Sequence, residues 1–305
     1  MRAVRLRLRP YIGAMIRRFA LIAAALLSAC QSTADARVAR PALWRMADKD
    51  TTIYLFGSIH LLPKDLSWHT PALNAAIAKS QGLVLETVLD KDPAAMVALM
   101  SRIGKSPNLP PLVDRVPANR RKDVEAQAKK AGVPLAILDQ YETWAAALTL
   151  ASAGLRDIGL STDYGVEDTL KKSFSDAGKS VSGLETPAEQ LGYFDTLPET
   201  TQREFLLGIL DDQANASKEF AKMIRAWGSG DTAMIAATFD DELKTSGPLA
   251  DALINQRNAR WATWLANRMK QPGTVFVAVG AGHLAGAHSV QTLLAKRGFR
   301  VWRVQ

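Results

Sequence analysis

One cysteine and four histidines are all that 305 residues hold of the two side chains most used for zinc centres and thiol chemistry. A single cysteine excludes an intramolecular disulfide and a Cys-x-x-Cys metal knuckle. Other catalytic signatures are missing as well. There is no Gly-x-Ser-x-Gly elbow, no His-Glu-x-x-His helix and no Gly-x-x-x-x-Gly-Lys phosphate loop. That removes the nucleophile-elbow hydrolases, the zincins and the P-loop nucleotide enzymes. Low-complexity tracts and long linkers are also absent, so nothing divides the chain into separate globular parts.

The conspicuous apolar run, Phe19 to Leu27, is too short to span a bilayer as a helix and follows an arginine-rich stretch, the pattern of an export signal. It ends in Leu27-Ser28-Ala29-Cys30, which matches a bacterial lipobox, so Cys30 is expected to be lipid-modified and to begin the mature chain. Met15 would start a signal of more ordinary length than Met1 does. Residues 1–29 hold six arginines and no acidic residue, so the net charge of +8 falls to +2 once they are set aside. The basic pI therefore gives no support to a nucleic-acid partner. Gln31 after the cysteine favours sorting to the outer membrane, facing the periplasm, in a Gram-negative host. Residues 30–41 then read as a tether and 42–305 as one domain.

Beyond the tether, short β-rich runs alternate with longer helical patterns, which predicts an α/β fold with a mostly parallel central sheet covered by helices. The predicted strands are Ala42–Met46, Thr52–Phe56, Leu83–Glu86, Leu135–Leu138, Ser180–Leu184, Thr274–Val279 and Phe299–Val304. Helix starts are signalled at Thr70-Pro71, at Asp92-Pro93 and by the capping-box pattern Thr186-Pro187-Ala188-Glu189. Helices over Pro198–Trp227, Asp231–Leu243 and Pro248–Met269 form an insertion or lid in the C-terminal half.

Two of the four histidines share one context: "YLFGSIH" carries Gly57 and His60, and "VFVAVGAGH" carries Gly280 and His283, each after an apolar strand. A glycine there permits a sharp turn or a close approach. Glu86 and Glu185 end the strands "GLVLE" and "SVSGLE". Strands around Thr52–Phe56 and Leu83–Glu86, joined through one helix, make a βαβ unit whose strands are expected to run parallel and lie side by side. His60 and Glu86 would then emerge close enough to share a cation, at the sheet edge where open α/β sheets bind ligands. A buried Glu86 needs a cation or a donor to stay ionised. Glu185 leads straight into a helix N-terminus, so capping and function are both open to it.

Arg257 lies in line with Leu253 and Trp261 on the apolar stripe of its helix, which turns the guanidinium towards the core. There it needs a glutamate partner or a substrate oxygen that becomes negative; otherwise it snorkels past Trp261. Asp163 and Glu167 read as dipole-stabilising residues at a helix start, Ser58 as a turn hydroxyl with nucleophile potential, and His69 and His288 as surface or capping residues.

The blocks "IYLFGSIHLLP", "LVLET", "DYGVEDTL", "VSGLETPAEQ", "AWGSGD", "NQRNARWA" and "VAVGAGHLAGAHSVQTLLAKRGF" resemble, in this order, those of the TraB/PrgY/GumN proteins, which include the Tiki metalloproteases. The resemblance implies an erythromycin-esterase-like α/β fold, and in the Tiki branch peptide hydrolysis that depends on a divalent metal. His60, His283 and Glu86 would be the metal ligands for Mn²⁺, Co²⁺ or Zn²⁺, an open position holding water whose pKa the ion lowers. Glu185 is the candidate general base and Arg257 the candidate oxyanion donor. Two rival readings are a metal-independent esterase-like hydrolase, in which a histidine activates water directly, and a non-enzymatic haem- or metal-binding lipoprotein. The substrate is a peptide or another small molecule.

Anchoring is testable by itself. Cys30→Ser is expected to release the protein from membranes or stall its processing. Membrane fractionation indistinguishable from the wild type would refute the lipid anchor.

Overall fold

Apolar side chains alternate along the strands, Ile53 and Leu55 towards one side and Tyr54 and Phe56 towards the other, so the sheet must be covered on both faces. A computed structural model describes residues 38–89, 92–156, 164–212, 216–243 and 246–305. The signal segment, Cys30 and Asp163 lie outside the described residues. The first half contributes β1 (Leu43–Ala47), β2 (Thr51–Ser58), α1 (Pro71–Lys79), β3 (Gly82–Thr87), α2 (Pro93–Ile103), α3 (Arg121–Ala131), α4 (Leu135–Leu138) and α5 (Thr143–Arg156). The second contributes α6 (Val166–Asp176), β4 (Ser180–Glu185), α7 (Pro187–Asp195), α8 (Glu199–Asp212), α9 (Ala216–Gly228), α10 (Thr232–Leu243), α11 (Gly247–Ala250), α12 (Gln256–Arg268), β5 (Gly273–Gly280), α13 (Val290–Lys296) and β6 (Val301–Arg303).

The strands form one six-stranded sheet in the order β4-β3-β5-β2-β1-β6. Pairing is parallel from β4 through β2, while β1 runs antiparallel to both β2 and β6. The expected mostly parallel α/β architecture is therefore present. The side-by-side pairing of β2 and β3 is not, because β5 inserts between them. An apolar run buried on both faces can take any interior slot, and nothing local in β5 reserves the middle one.

On one face Tyr54, Phe56, Leu85 and Phe276 pack against Leu73 of α1, Leu170 and Phe174 of α6, and Trp227 of α9. On the other, Ile53, Leu55, Val277 and Val279 pack against Trp261 and Leu265 of α12 and Leu294 of α13. A third core is purely helical: Leu112, Val124, Leu138, Ala146 and Leu150 join Leu206 and Leu210 of α8. The helical part thus draws on the middle of the chain as well as on the C-terminal half. Leu135–Leu138, predicted as a strand, is one helical turn whose Leu138 fills this core. Its Leu-Ala-Ile-Leu sequence holds good helix formers, and its helical neighbours offer no strand edge to join. The predicted caps are present: Thr70 and Asp92 each accept from a first-turn amide, and Thr186 with Glu189 closes the capping box.

The long helix expected from Pro248 to Met269 is interrupted. Asp251–Asn255 forms a π-helical turn between α11 and α12, immediately before Arg257. Such wide turns are enriched at functional sites. Among the described residues, no helix is long and apolar enough to cross a membrane.

Candidate functional site

Parallel strands aligned by register bring their carboxyl ends to one edge, with Ser58 opposite Gly280 and Thr87 opposite Glu185. The glycines of the two Gly-x-x-His motifs serve close approach there, since neither has a positive φ. A Cβ on Gly57 would come within 3.1 Å of the Ala281 backbone, and one on Gly280 within 3.1 Å of Glu86 Oε1. The Gly280 amide donates to that same oxygen at 2.6 Å. Absence of a side chain at Gly280 is what lets the Glu86 carboxylate reach a backbone donor.

Arg257 is buried, as its place on the apolar stripe requires. Its Nη2 lies 2.7 Å from Glu86 Oε2 and 3.0 Å from Glu185 Oε2, and Nε donates to both oxygens of Glu185 at 3.1 and 3.2 Å. Nη1 donates to the Leu253 carbonyl and to His283 Nε2, each at 3.1 Å. Every face of the guanidinium fork is therefore engaged. Its flat side lies over Trp261, 4.6 Å from the ring centre. Glu185 accepts further bonds from Trp261 Nε1 at 3.0 Å, Tyr193 Oη at 3.2 Å and Arg260 Nη2 at 3.3 Å.

Because Nε2 of His283 accepts from Arg257, the ring proton belongs on Nδ1, which donates to Asn258 Oδ1 at 2.6 Å. Asn258 is fully buried and fixed in turn by donating to the His288 carbonyl at 2.8 Å. Burial, together with the guanidinium, holds His283 down to about 4, so it is neutral at ordinary pH. Burial opposes ionisation of Glu86, but the His283 and Arg257 charges and the Gly280 amide outweigh it and hold Glu86 at about 2. With His283 neutral above about 4, the guanidinium and the amide carry that effect near neutrality. Burial, aided by the Glu86 charge, pushes Glu185 up against the pull of Arg257 and Arg260.

His60 is elsewhere. It stands at the mouth of a cleft of about 220 Å³ whose walls include Glu86, Glu167, Lys171 and Gln190. Its Nδ1 lies 2.9 Å from Glu167 Oε1. Close contact with the Glu167 carboxylate and its charge raises His60 towards about 9, and the 70% exposure of its side chain lets water screen part of this rise. The amide of Val166 donates to the Ile59 carbonyl at 3.1 Å and ties the start of α6 to the turn after β2, which brings Glu167 to His60.

The five residues singled out in the sequence thus fall into two groups. Glu86, Glu185, Arg257 and His283 form one buried cluster, and His60 faces it across the cleft from the Glu167 side. Glu167 has a direct partner beyond its helix end. Asn258, Tyr193, Gln190 and Lys171 were not singled out by sequence, although a buried asparagine beside an inward arginine was a visible signal. His69 pairs with Asn74 at the surface. Glu86, His283 and His60 do not fit one metal ion as arranged: the guanidinium already takes Glu86 Oε2 and His283 Nε2, and it is itself a cation. Among the described residues no three His, Cys, Asp or Glu side chains gather as ligands.

Residues 42–303 match the TraB/PrgY/gumN family model. The chain belongs to the TraB/PrgY/gumN family. It is also similar to the uncharacterized protein YbaP of Escherichia coli K12, with 23% identity over 245 residues, 79% of this chain and 87% of that protein. The match to YbaP of Shigella flexneri has the same identity and coverage. No solved structure matches. The family model spans β1 through β6 and takes in every residue of the buried cluster.

Two outcomes follow from the cluster. Between about pH 6.5 and 4 the unfolded chain binds a proton at His283 that the folded protein does not, so folding stability should fall as pH falls through that window, by on the order of 3 kcal/mol. Glu86, ordinarily near 4.5 and held at about 2, continues the loss at lower pH. Denaturant titrations from pH 7 to 4 read the slope, which His283→Gln should flatten. Arg257→Met strands two buried carboxylates and should cost about 3–5 kcal/mol at pH 7. That deficit should narrow at pH 5, where the stranded carboxyls take up protons; a deficit independent of pH would contradict the ion-pair account.

Proposed function

We propose that this chain is a hydrolase of amide bonds, peptide bonds foremost, that activates water on His60. The observation that carries the reading is the His60–Glu167 contact at the wall of a cleft that also holds Glu86 and Lys171. A carboxylate on Nδ1 orients an imidazole and raises its basicity, and Nε2 remains as the nitrogen that can take a proton. In the proposed step Nε2 accepts a proton from water as its oxygen bonds to the carbonyl carbon. The proton then passes to the leaving nitrogen as the carbon–nitrogen bond breaks. Lys171 lines the same cleft and donates to the Leu89 carbonyl at 3.0 Å, leaving ammonium hydrogens for the oxygen that becomes negative.

Arg257 supports this chemistry indirectly. With its donors committed, it would have to give up a bond to reach a substrate oxygen, so we assign it to keeping Glu86 ionised and His283 in one tautomer. Glu185, enclosed by Arg257, Trp261, Tyr193 and Arg260, has the same positioning role rather than that of a base.

A metal-dependent form of the same hydrolase has one observation in its favour. The Ser58 and Thr87 hydroxyls, and the Glu167 carboxylate apart from its His60 contact, are buried oxygens without hydrogen-bond partners. His60 and Glu167 would then hold Mn²⁺, Co²⁺ or Zn²⁺, and the ion would supply a Lewis acid. The proposal extends to location: an exported lipoprotein anchored through Cys30 at the outer membrane and facing the periplasm, supported by residues 1–30 of the sequence.

A pH profile tests the reading. kcat/KM on a peptide substrate should rise with pH as His60 loses its proton. Glu167→Gln removes the carboxylate that raises His60, so this limb should move to lower pH while kcat falls about 10²-fold or more. Metal analysis and turnover in chelator separate the two forms of the hydrolase. A protein that turns over no peptide at any pH, with or without metal, leaves the non-enzymatic haem- or metal-binding reading instead.

A further inference from the structure

The wall that carries Glu86 continues past β3. Val88 and Leu89 line the candidate cleft and also a second hollow of about 630 Å³, completed by Met96 and Leu99 of α2 and by Pro187 of α7. Helix α2 reads Pro-Ala-Ala-Met-Val-Ala-Leu-Met-Ser-Arg-Ile, with two polar residues in eleven, yet none of its described residues is buried. Helices apolar on most sides are ordinarily sunk in a core. This one, capped by Asp92, keeps Val97 62% exposed, and neighbouring Leu89 is 48% exposed. A contiguous apolar surface in contact with water marks a place where another molecule binds.

We propose that this hollow receives the aliphatic side chains of a peptide substrate, on one side of the bond that is cleaved beside His60. The inference rests on the hydrolase reading and adds its substrate class. Three features select that occupant. The hollow shares Val88 and Leu89 with the cleft, so an extended chain lying in one continues into the other. Its volume falls within the range of about 300–1,000 Å³ typical of ligand sites. Unbranched Met96 adapts to side chains of different shape.

The test uses the full chain carrying His60→Ala, so that bound peptide stays intact, and two fluorescein-labelled decapeptides of equal charge. One has a central Leu-Met-Leu-Ala run; the other has Ser, Gly and Thr there. Anisotropy should give the apolar peptide an affinity at least about tenfold higher. Leu99→Glu should abolish that advantage, Leu99→Ala should reduce it about threefold or more, and Val97→Glu, exposed and outside the lining, should leave it. Thermal unfolding checks each variant, and Leu99→Ala decides the matter if Leu99→Glu does not fold. Equal affinity for the two peptides, or indifference to Leu99→Ala, overturns the proposal. So does Leu99-dependent binding to phosphatidylcholine vesicles without binding to peptide, which would make α2 a membrane face. If the apolar peptide binds through Leu99 but His60-intact protein cleaves neither peptide, the groove stands and the hydrolase reading falls. If both are cleaved with kcat/KM unmoved by Leu99→Ala, the hydrolase reading stands and the groove falls.

Discussion

One guanidinium, that of Arg257, fixes the relative positions of three strand ends and a helix. Glu86 is the penultimate residue of β3, Glu185 closes β4, His283 follows β5, and Arg257 on α12 bonds to all three. Charges taken out of water are costly, and this group is tolerable because one cation meets two carboxylates with its remaining hydrogens directed at a carbonyl and an imidazole nitrogen. The π-turn before α12 belongs to the same arrangement, since the Leu253 carbonyl within it accepts from Nη1. Removal of any one partner leaves another buried without compensation.

That buried cluster sets the charge state of the cleft outside it. Glu86 is held ionised at the shared wall, while His60, on the other side, is raised by Glu167. Opposite shifts on neighbouring groups set a carboxylate opposite an imidazolium across the cleft near neutral pH, and the imidazole becomes a base as pH rises. His283 stays neutral because its Nε2 is an acceptor and its Nδ1–H is held by Asn258. The two Gly-x-x-His motifs, alike in sequence, therefore differ in work: one histidine is exposed at a cleft mouth and the other is part of a rigid interior.

The extension of the cleft along α2 completes the division. Strand ends supply the polar residues, and the chain that leaves β3 supplies an apolar shelf, with Leu89 belonging to both. Polar chemistry at the edge and apolar contact beyond it are what a site needs if it is to hold a substrate by side chains while reacting with its backbone.

Local signals in the sequence determined most of the strands and several helix starts, while the helices Arg121–Ala131, Thr143–Arg156 and Val290–Lys296 were not among the predicted elements. The run Ile53-Tyr54-Leu55-Phe56, β-branched and aromatic and ended by Gly57, reads as a strand covered on both faces, the caps at Thr70, Asp92 and Thr186 start helices, and the four-residue spacing of Leu253, Arg257 and Trp261 turns the arginine inward. These follow from periodicity and backbone chemistry within a few residues. Strand order did not follow, because β5 reaches its slot between β2 and β3 through pairings with residues about two hundred positions earlier in the chain, and every interior strand reads alike. Pairing was equally hidden. Whether Arg257 meets Glu86, Glu185 or a substrate, and whether His60 meets Glu86 or Glu167, depends on crossing angles and registers that only the packed sheet and its helices decide. The four-residue turn Leu135–Leu138 shows the same limit at small scale: an apolar run becomes strand or helix according to what it is packed against.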